Sequence, residues 1–187
     1  MDKNKLELKL IEHCAPTLAG MKSASLFSYY YAEEEPVREE LSEINRLLNE
    51  RGVYVEALLW QGKFVLIYTY RLSHLEKELC QAEAMELLEE YAYTNCNPRD
   101  CIEHLKRRLN CSPCFPHEIG IFLGYPYEDV EGFIQNRGQN CKYCGMWKVY
   151  CNEKEKIQIF RKLQKCSEIY RQVFSEGRSL VQMTVCA

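Results

Sequence analysis

VYVEALLWQGKFVLIYTY, from Val53 to Tyr70, contains two apolar runs rich in Val, Ile, Tyr and Trp, parted by Gln61-Gly62-Lys63. β-Branched and aromatic side chains suit a pleated, half-buried surface, and a short glycine-bearing break between two such runs closes a β-hairpin. Upstream, the aromatic stretch Ser25 to Tyr31 is a further strand and is expected in the same sheet. Between them, EEEPVREELSEINRLLNERG places Val37, Leu41, Ile44, Leu47 and Leu48 at helical spacing, with acids at its start, Arg51 in its last turn and Gly52 as its stop. Lys5 to His13 repeats Leu6, Leu8, Leu10 and Ile11 among charges, which predicts a short helix, although its early alternation also suits a strand. Ala15-Pro16-Thr17 is expected to interrupt it.

Downstream of the hairpin the pattern turns helical. SHLEKELC, EAMELLEEYAY and PRDCIEHLKRRLN predict three short helices, with Ser73 and Asn97 as caps. On the third, Ile102, Leu105 and Leu109 form the apolar stripe, which puts Arg107 and Arg108 on a solvated face. His117–Leu123 and Tyr127–Gln135 read as helical segments broken at Gly124-Tyr125-Pro126, MWKVYC as a short strand, and EKEKIQIFRKLQKCSEIYRQVFSEG as a long helix turning Ile157, Phe160, Leu163, Ile169, Val173 and Phe174 inward. The expectation is an α+β protein: a small antiparallel sheet with a hairpin, flanked by helices, and a helix-rich C-terminal half. Residues 1–187 are read as one domain with lobes 1–72 and 73–187.

Composition narrows the function. A 187-residue chain that is 47% hydrophobic can bury a core. With 24 basic against 27 acidic side chains and no basic block, it lacks the electrostatic footprint of a nucleic-acid binder. Its first residues, MDKNKLELKLIEHC, carry charges throughout and resemble no secretory signal, and no apolar run approaches the ~20 residues of a membrane span. A soluble, cytoplasmic protein is expected. There, eleven cysteines read as free, metal-bound or redox-active thiols sooner than as a disulfide frame, with burial the default for Cys80, Cys96, Cys101 and Cys166.

Three sets of residues carry chemistry. Cys111/Cys114 and Cys141/Cys144 are two Cys-x-x-Cys pairs, a tetrathiolate set suited to zinc or iron, with Cys151 or His117 as substitute ligands; the alternatives are a surface dithiol or ordinary cysteines. Cys14 precedes Ala15-Pro16-Thr17, where a helical start would bring free N–H groups to the sulfur and favour a nucleophilic thiolate, with His117 as acid/base. The opposing reading makes Cys14 a small buried residue and His117 a helix cap. Adjacent helical residues point apart, so Glu118 is not expected to orient the His117 ring. Trp147, Tyr143, Gly138 and Gly145 suit either a flexible aromatic docking surface or core.

HCAPTLAGMKSASLFS, FPHEIGIFLGYPYEDVEGFI and GMWKVY, in that order, resemble an uncharacterised bacterial family, the domain-of-unknown-function family three-seven-nine-three. The signature positions are His13, Cys14, Pro16, Thr17, Gly20 and Lys22, then His117, Glu118, Gly120, Gly124, Pro126, Gly132 and Trp147. The resemblance implies a small cytosolic protein of anaerobic bacteria, with a redox protein such as a flavodoxin, or ferrous-iron transport, in its genetic context. It carries over no catalytic residue, and Cys111/Cys114 fall outside its pattern. The functional expectation is therefore an accessory protein of anaerobic redox or iron metabolism, acting through protein contact or a thiol or metal centre. The alternatives are a thiol enzyme using Cys14 and His117, and a pure interaction module.

Overall fold

An α+β architecture describes residues 5–111 and 114–186 of the computed structural model. The chain divides into two compact units, Met1–His74 with Lys165–Ala187, and Leu75–Gln164. In the first, α1 (Lys5–Leu18), β1 (Ala24–Tyr30), α2 (Glu34–Leu48), β2 (Val53–Gln61) and β3 (Phe64–Arg71) follow one another. The expected hairpin is there: β2 and β3 pair antiparallel, and β1 joins the other side of β3, in the order β1-β3-β2. Gly62 closes the turn at φ 57°, a conformation that glycine adopts without steric cost. Leu58 is the extra residue of a bulge between Ala57 and Leu59.

Helix α1 runs on through Pro16 to Leu18 and is not interrupted there. A proline inside a helix costs about 3 kcal/mol, but fully burying a leucine returns roughly 1.5–3 kcal/mol, and Leu6, Leu10, Ile11, Cys14 and Leu18 all lie at 0% exposure along one stripe. The helix stops in a Schellman motif: Gly20 adopts φ 74°, its N–H reaches Thr17 O (3.1 Å), and Met21 N–H reaches Pro16 O (2.8 Å). Arg71, 1% exposed at the end of β3, donates to Thr17 O and Leu18 O (both 2.6 Å) and to Val185 O (2.8 Å). A guanidinium at the carbonyl end of a helix meets the negative end of its dipole. On the edge strand β2, Asn45 from α2 accepts from Val55 N–H (2.8 Å) and donates to Val55 O (2.6 Å), capping a free edge with a side chain.

The second unit holds most of α3 (Leu72–Leu79), then α4 (Ala82–Glu89), α5 (Pro98–Cys111), α6 (Ile119–Phe122), α7 (Tyr127–Gln135), the two-residue strands β4 (Tyr143–Cys144) and β5 (Lys148–Val149), and the first part of α8 (Glu153–Ser175). Asn97 caps α5 as expected, accepting from Arg99 N–H (3.0 Å) ahead of Pro98 in the first helical position. Ser73 does not cap: α3 follows β3 directly and Ser73 lies inside it. The second helix ends at Glu89, because Ala92 turns left-handed (φ 65°). MWKVYC is only partly extended; Gly145-Met146-Trp147 forms the turn between β4 and β5. On α8, Phe160 and Leu163 are buried, whereas Ile169 is 47% exposed and Lys156 is buried instead. The end of α8 and the short helix α9 (Leu180–Met183) pack on the core of the first unit through Tyr170, Val173, Phe174, Leu180 and Met183. Among the described residues no helix is long and apolar enough to cross a membrane.

Candidate functional site

Two signature glycines of the second unit, Gly120 and Gly132, are places where segments touch without a side chain between them. A Cβ on Gly120 of α6 would stand 2.7 Å from Val130 Cγ2 of α7, and one on Gly132 would stand 2.6 Å from Tyr150 Cγ. Between α6 and α7, Gly124 turns the chain at φ 66° and Tyr125 N–H bonds back to Gly120 O (3.0 Å). Asp129, in the first turn of α7 and 2% exposed, accepts from Trp147 Nε1 (2.8 Å), Tyr150 N (2.8 Å) and Cys151 N (3.4 Å). These three N–H bonds fill most of the acceptor capacity of a buried carboxylate and fasten the β4–β5 hairpin to α7.

Held by that bond, the Trp147 ring stacks on Tyr125 (centroids 4.8 Å) and meets Phe160 edge-on (4.4 Å). The Trp147 and Tyr125 rings border a cavity of about 460 Å³ whose wall also includes Phe115, His117, Leu123, Val130, Phe133, Cys144, Met146 and Lys148. The lining is mainly apolar. The His117 ring lies edge-on to Phe133 (5.0 Å), and Lys148 Nζ stands 5.8 Å from the same ring while donating to Gly138 O. Phe115 and Met146 are 50% and 47% exposed, and Cys144 is exposed as well. Burial pushes the Tyr125 phenol above its ordinary pKa.

His117 and Glu118 do point apart. While His117 lines the cavity and is exposed, Glu118 is fully buried against α5. Its Oε1 accepts from Arg108 Nε and from the Tyr93 hydroxyl (3.3 Å), and its Oε2 is buried with no partner among the described residues. Arg108 is thus no solvated surface residue; its guanidinium also lies over the Tyr91 ring at 4.8 Å. The apolar stripe of α5 correctly places Ile102 and Leu105, but long side chains at its margin can reach inward. Burial, with the Glu118 carboxylate beside it, pushes the Tyr93 phenol far up.

Cys14 sits in the other unit, at 0% exposure. It occupies the middle of α1, where N–H groups are already bonded along the helix, and its thiol donates to Thr69 Oγ1 (3.4 Å). Burial pushes its pKa up to about 12, so the thiol is the stable form. Thr17 and Ser25 share a hydroxyl bond close by (2.9 Å), and Lys22 Nζ donates to Ala24 O. Desolvation lowers the Lys22 amine to about 8. At Cys14 burial outweighs the nearby Lys22 ammonium and the Thr69 hydroxyl, both of which favour the thiolate, and His117 belongs to the second unit.

Cys111, Cys114 and Cys144 are exposed and Cys141 is half-buried. Among the described residues no three His, Cys, Asp or Glu side chains gather into a group able to hold a metal. Cys101 and Cys166 are buried as expected, but Cys80 and Cys96 are joined in a disulfide with Cα atoms 5.3 Å apart. Nothing in their sixteen-residue spacing announces it, because α4 and the turn after it bring the two together.

A family model described as Protein of unknown function (DUF3793) matches residues 10–184, a span that takes in both the Cys14 cluster and the cavity. The chain belongs to this DUF3793 family. No curated protein and no solved structure matches it significantly. For DUF3793 the resemblance seen in the sequence is thus correct, and it brings no assigned activity with it.

Proposed function

We propose that this DUF3793 protein is an accessory binding protein whose working part is the aromatic cavity of the second unit, which holds a compact, mainly apolar small molecule. The observation that carries this is a 460 Å³ space bordered by Tyr125, Trp147 and Phe133, kept open while glycines at 120 and 132 let its supporting elements close up tightly. Concave, aromatic-lined cavities of roughly 300–1,000 Å³ with few polar groups are where proteins take small ligands. A place in anaerobic redox or iron metabolism, with a redox partner such as a flavodoxin, belongs to the proposal on family resemblance alone. The thiol-enzyme alternative draws no support from Cys14, whose sulfur is buried and protonated.

Trp60 and Trp147 are the two tryptophans of the chain. In a Trp60→Phe protein the remaining indole lies in the cavity wall and reports its occupancy. Titration with the flat, uncharged probe N-phenyl-1-naphthylamine is expected to quench Trp147 saturably with one site per chain. Linear, non-saturating quenching both by this probe and by its sulfonated analogue 8-anilinonaphthalene-1-sulfonate would overturn the proposal.

A further inference from the structure

The ionisable groups of the cavity wall are distributed unevenly. Asp129 spends its carboxylate on Trp147, Tyr150 and Cys151, so it offers a ligand little. Besides the Cys144 thiol and the Tyr125 phenol, the wall carries two basic groups, His117 and Lys148, and both pack on one ring, Phe133. Lys148 has one hydrogen bond, to Gly138 O, and no carboxylate pairs with it among the described residues. An ammonium has three donors, which leaves capacity for an anion. Beside a largely apolar wall, a charge-assisted bond is stronger than in bulk water. The Tyr125–Trp147 stack supplies flat faces for a ring system.

Building on the binding role argued above, we infer that the ligand is a planar aromatic or heteroaromatic molecule carrying one anionic group, its ring against Tyr125 and Trp147 and its anion held by Lys148 with His117 as a second donor. Lys148 is then the specificity-determining residue, and the cavity discriminates against an uncharged molecule of the same shape.

Two probes share one ring body: N-phenyl-1-naphthylamine is neutral, and 8-anilinonaphthalene-1-sulfonate adds a sulfonate. Titrated into the Trp60→Phe protein with Trp147 quenching as readout, the sulfonate is expected to bind at least tenfold more tightly. Lys148→Met should remove that advantage, bringing the ratio of the two affinities, measured in the same variant, close to one. In the unsubstituted-Lys148 protein, raising salt from about 0.05 to about 0.5 M should weaken only the sulfonate, because screening acts on the charged contact. Equal affinities, or a sulfonate preference untouched by both Lys148→Met and salt, would overturn the inference and leave the binding role standing. Failure of both probes to saturate would overturn the two together.

Discussion

Cys14 and Lys22 show how burial decides protonation. Both belong to the polar cluster under β1 and β3, and desolvation acts on them in opposite senses, raising the thiol to about 12 and lowering the amine to about 8. An unfolded lysine titrates near 10.5, so between about 8 and 10.5 the unfolded chain holds the extra proton and stability rises with pH on account of Lys22. An unfolded cysteine titrates near 9, so from about 9 to 12 the unfolded chain releases a proton that the folded thiol keeps, and stability falls with pH on account of Cys14. In urea denaturation followed from pH 7 to 11, the stability advantage of the native protein over Cys14→Val should shrink above pH 9. A constant difference would contradict the buried, protonated thiol. At neutral pH, iodoacetamide should label Cys111, Cys114 and Cys144 well before Cys14, as peptide mass mapping would register.

At the scale of elements, the second unit is held by close approaches more than by large apolar layers. Helix α7 touches Tyr150 at Gly132, receives the β4–β5 hairpin through Asp129, and meets α6 at Gly120. Gly132→Ala would gain roughly 1 kcal/mol of helix propensity in isolation. Here its methyl would stand 2.6 Å from the Tyr150 ring, and overpacking of this kind costs about 1–3 kcal/mol. The atoms the methyl would meet first, Tyr150 Cγ and Cβ, adjoin a backbone N–H held by Asp129, so turning the ring alone does not relieve the contact. The expected outcome is a net loss of about 1–2 kcal/mol with weakened binding at the cavity, measured by chemical denaturation and Trp147 quenching. An increase in stability would mean the hairpin gives way easily. The hairpin was partly legible as an extended stretch, but its turn at Gly145-Met146-Trp147 was not, since a two-residue strand pair has too few positions to display a period.

For the molecule as a whole, the organising event is the return of the C-terminal segment to the first unit. Leu180 and Met183 join its core, Tyr170 donates to Met183 O (2.7 Å), and the carbonyls of Thr184 and Val185 accept from Arg51 and Arg71. Ser179 and Gln182 form a capping box that starts α9 at the right place. Removing residues 178–187 should therefore destabilise the first unit by about 3–6 kcal/mol, chiefly from the loss of two buried apolar side chains, Leu180 and Met183. Trp60, in β2, reports the loss as a shift of the urea midpoint. No shift would show that the segment merely rests on the core.

Local pattern was enough for the hairpin, its neighbouring strand, helix α2, the Asn97 cap and the family, because period and turn chemistry act over a few residues and survive without knowledge of partners. The passage of α1 through Pro16, the disulfide between Cys80 and Cys96 and the inward Arg108 were decided by tertiary structure. Each turns on a balance that sequence does not display. A proline's cost is weighed against distant burial, and a thiol's acidity against its depth. The cavity belongs to the same class: Trp147 and His117 stood out as residues, but only the closing of α6, α7 and the hairpin on one another set them around a common space.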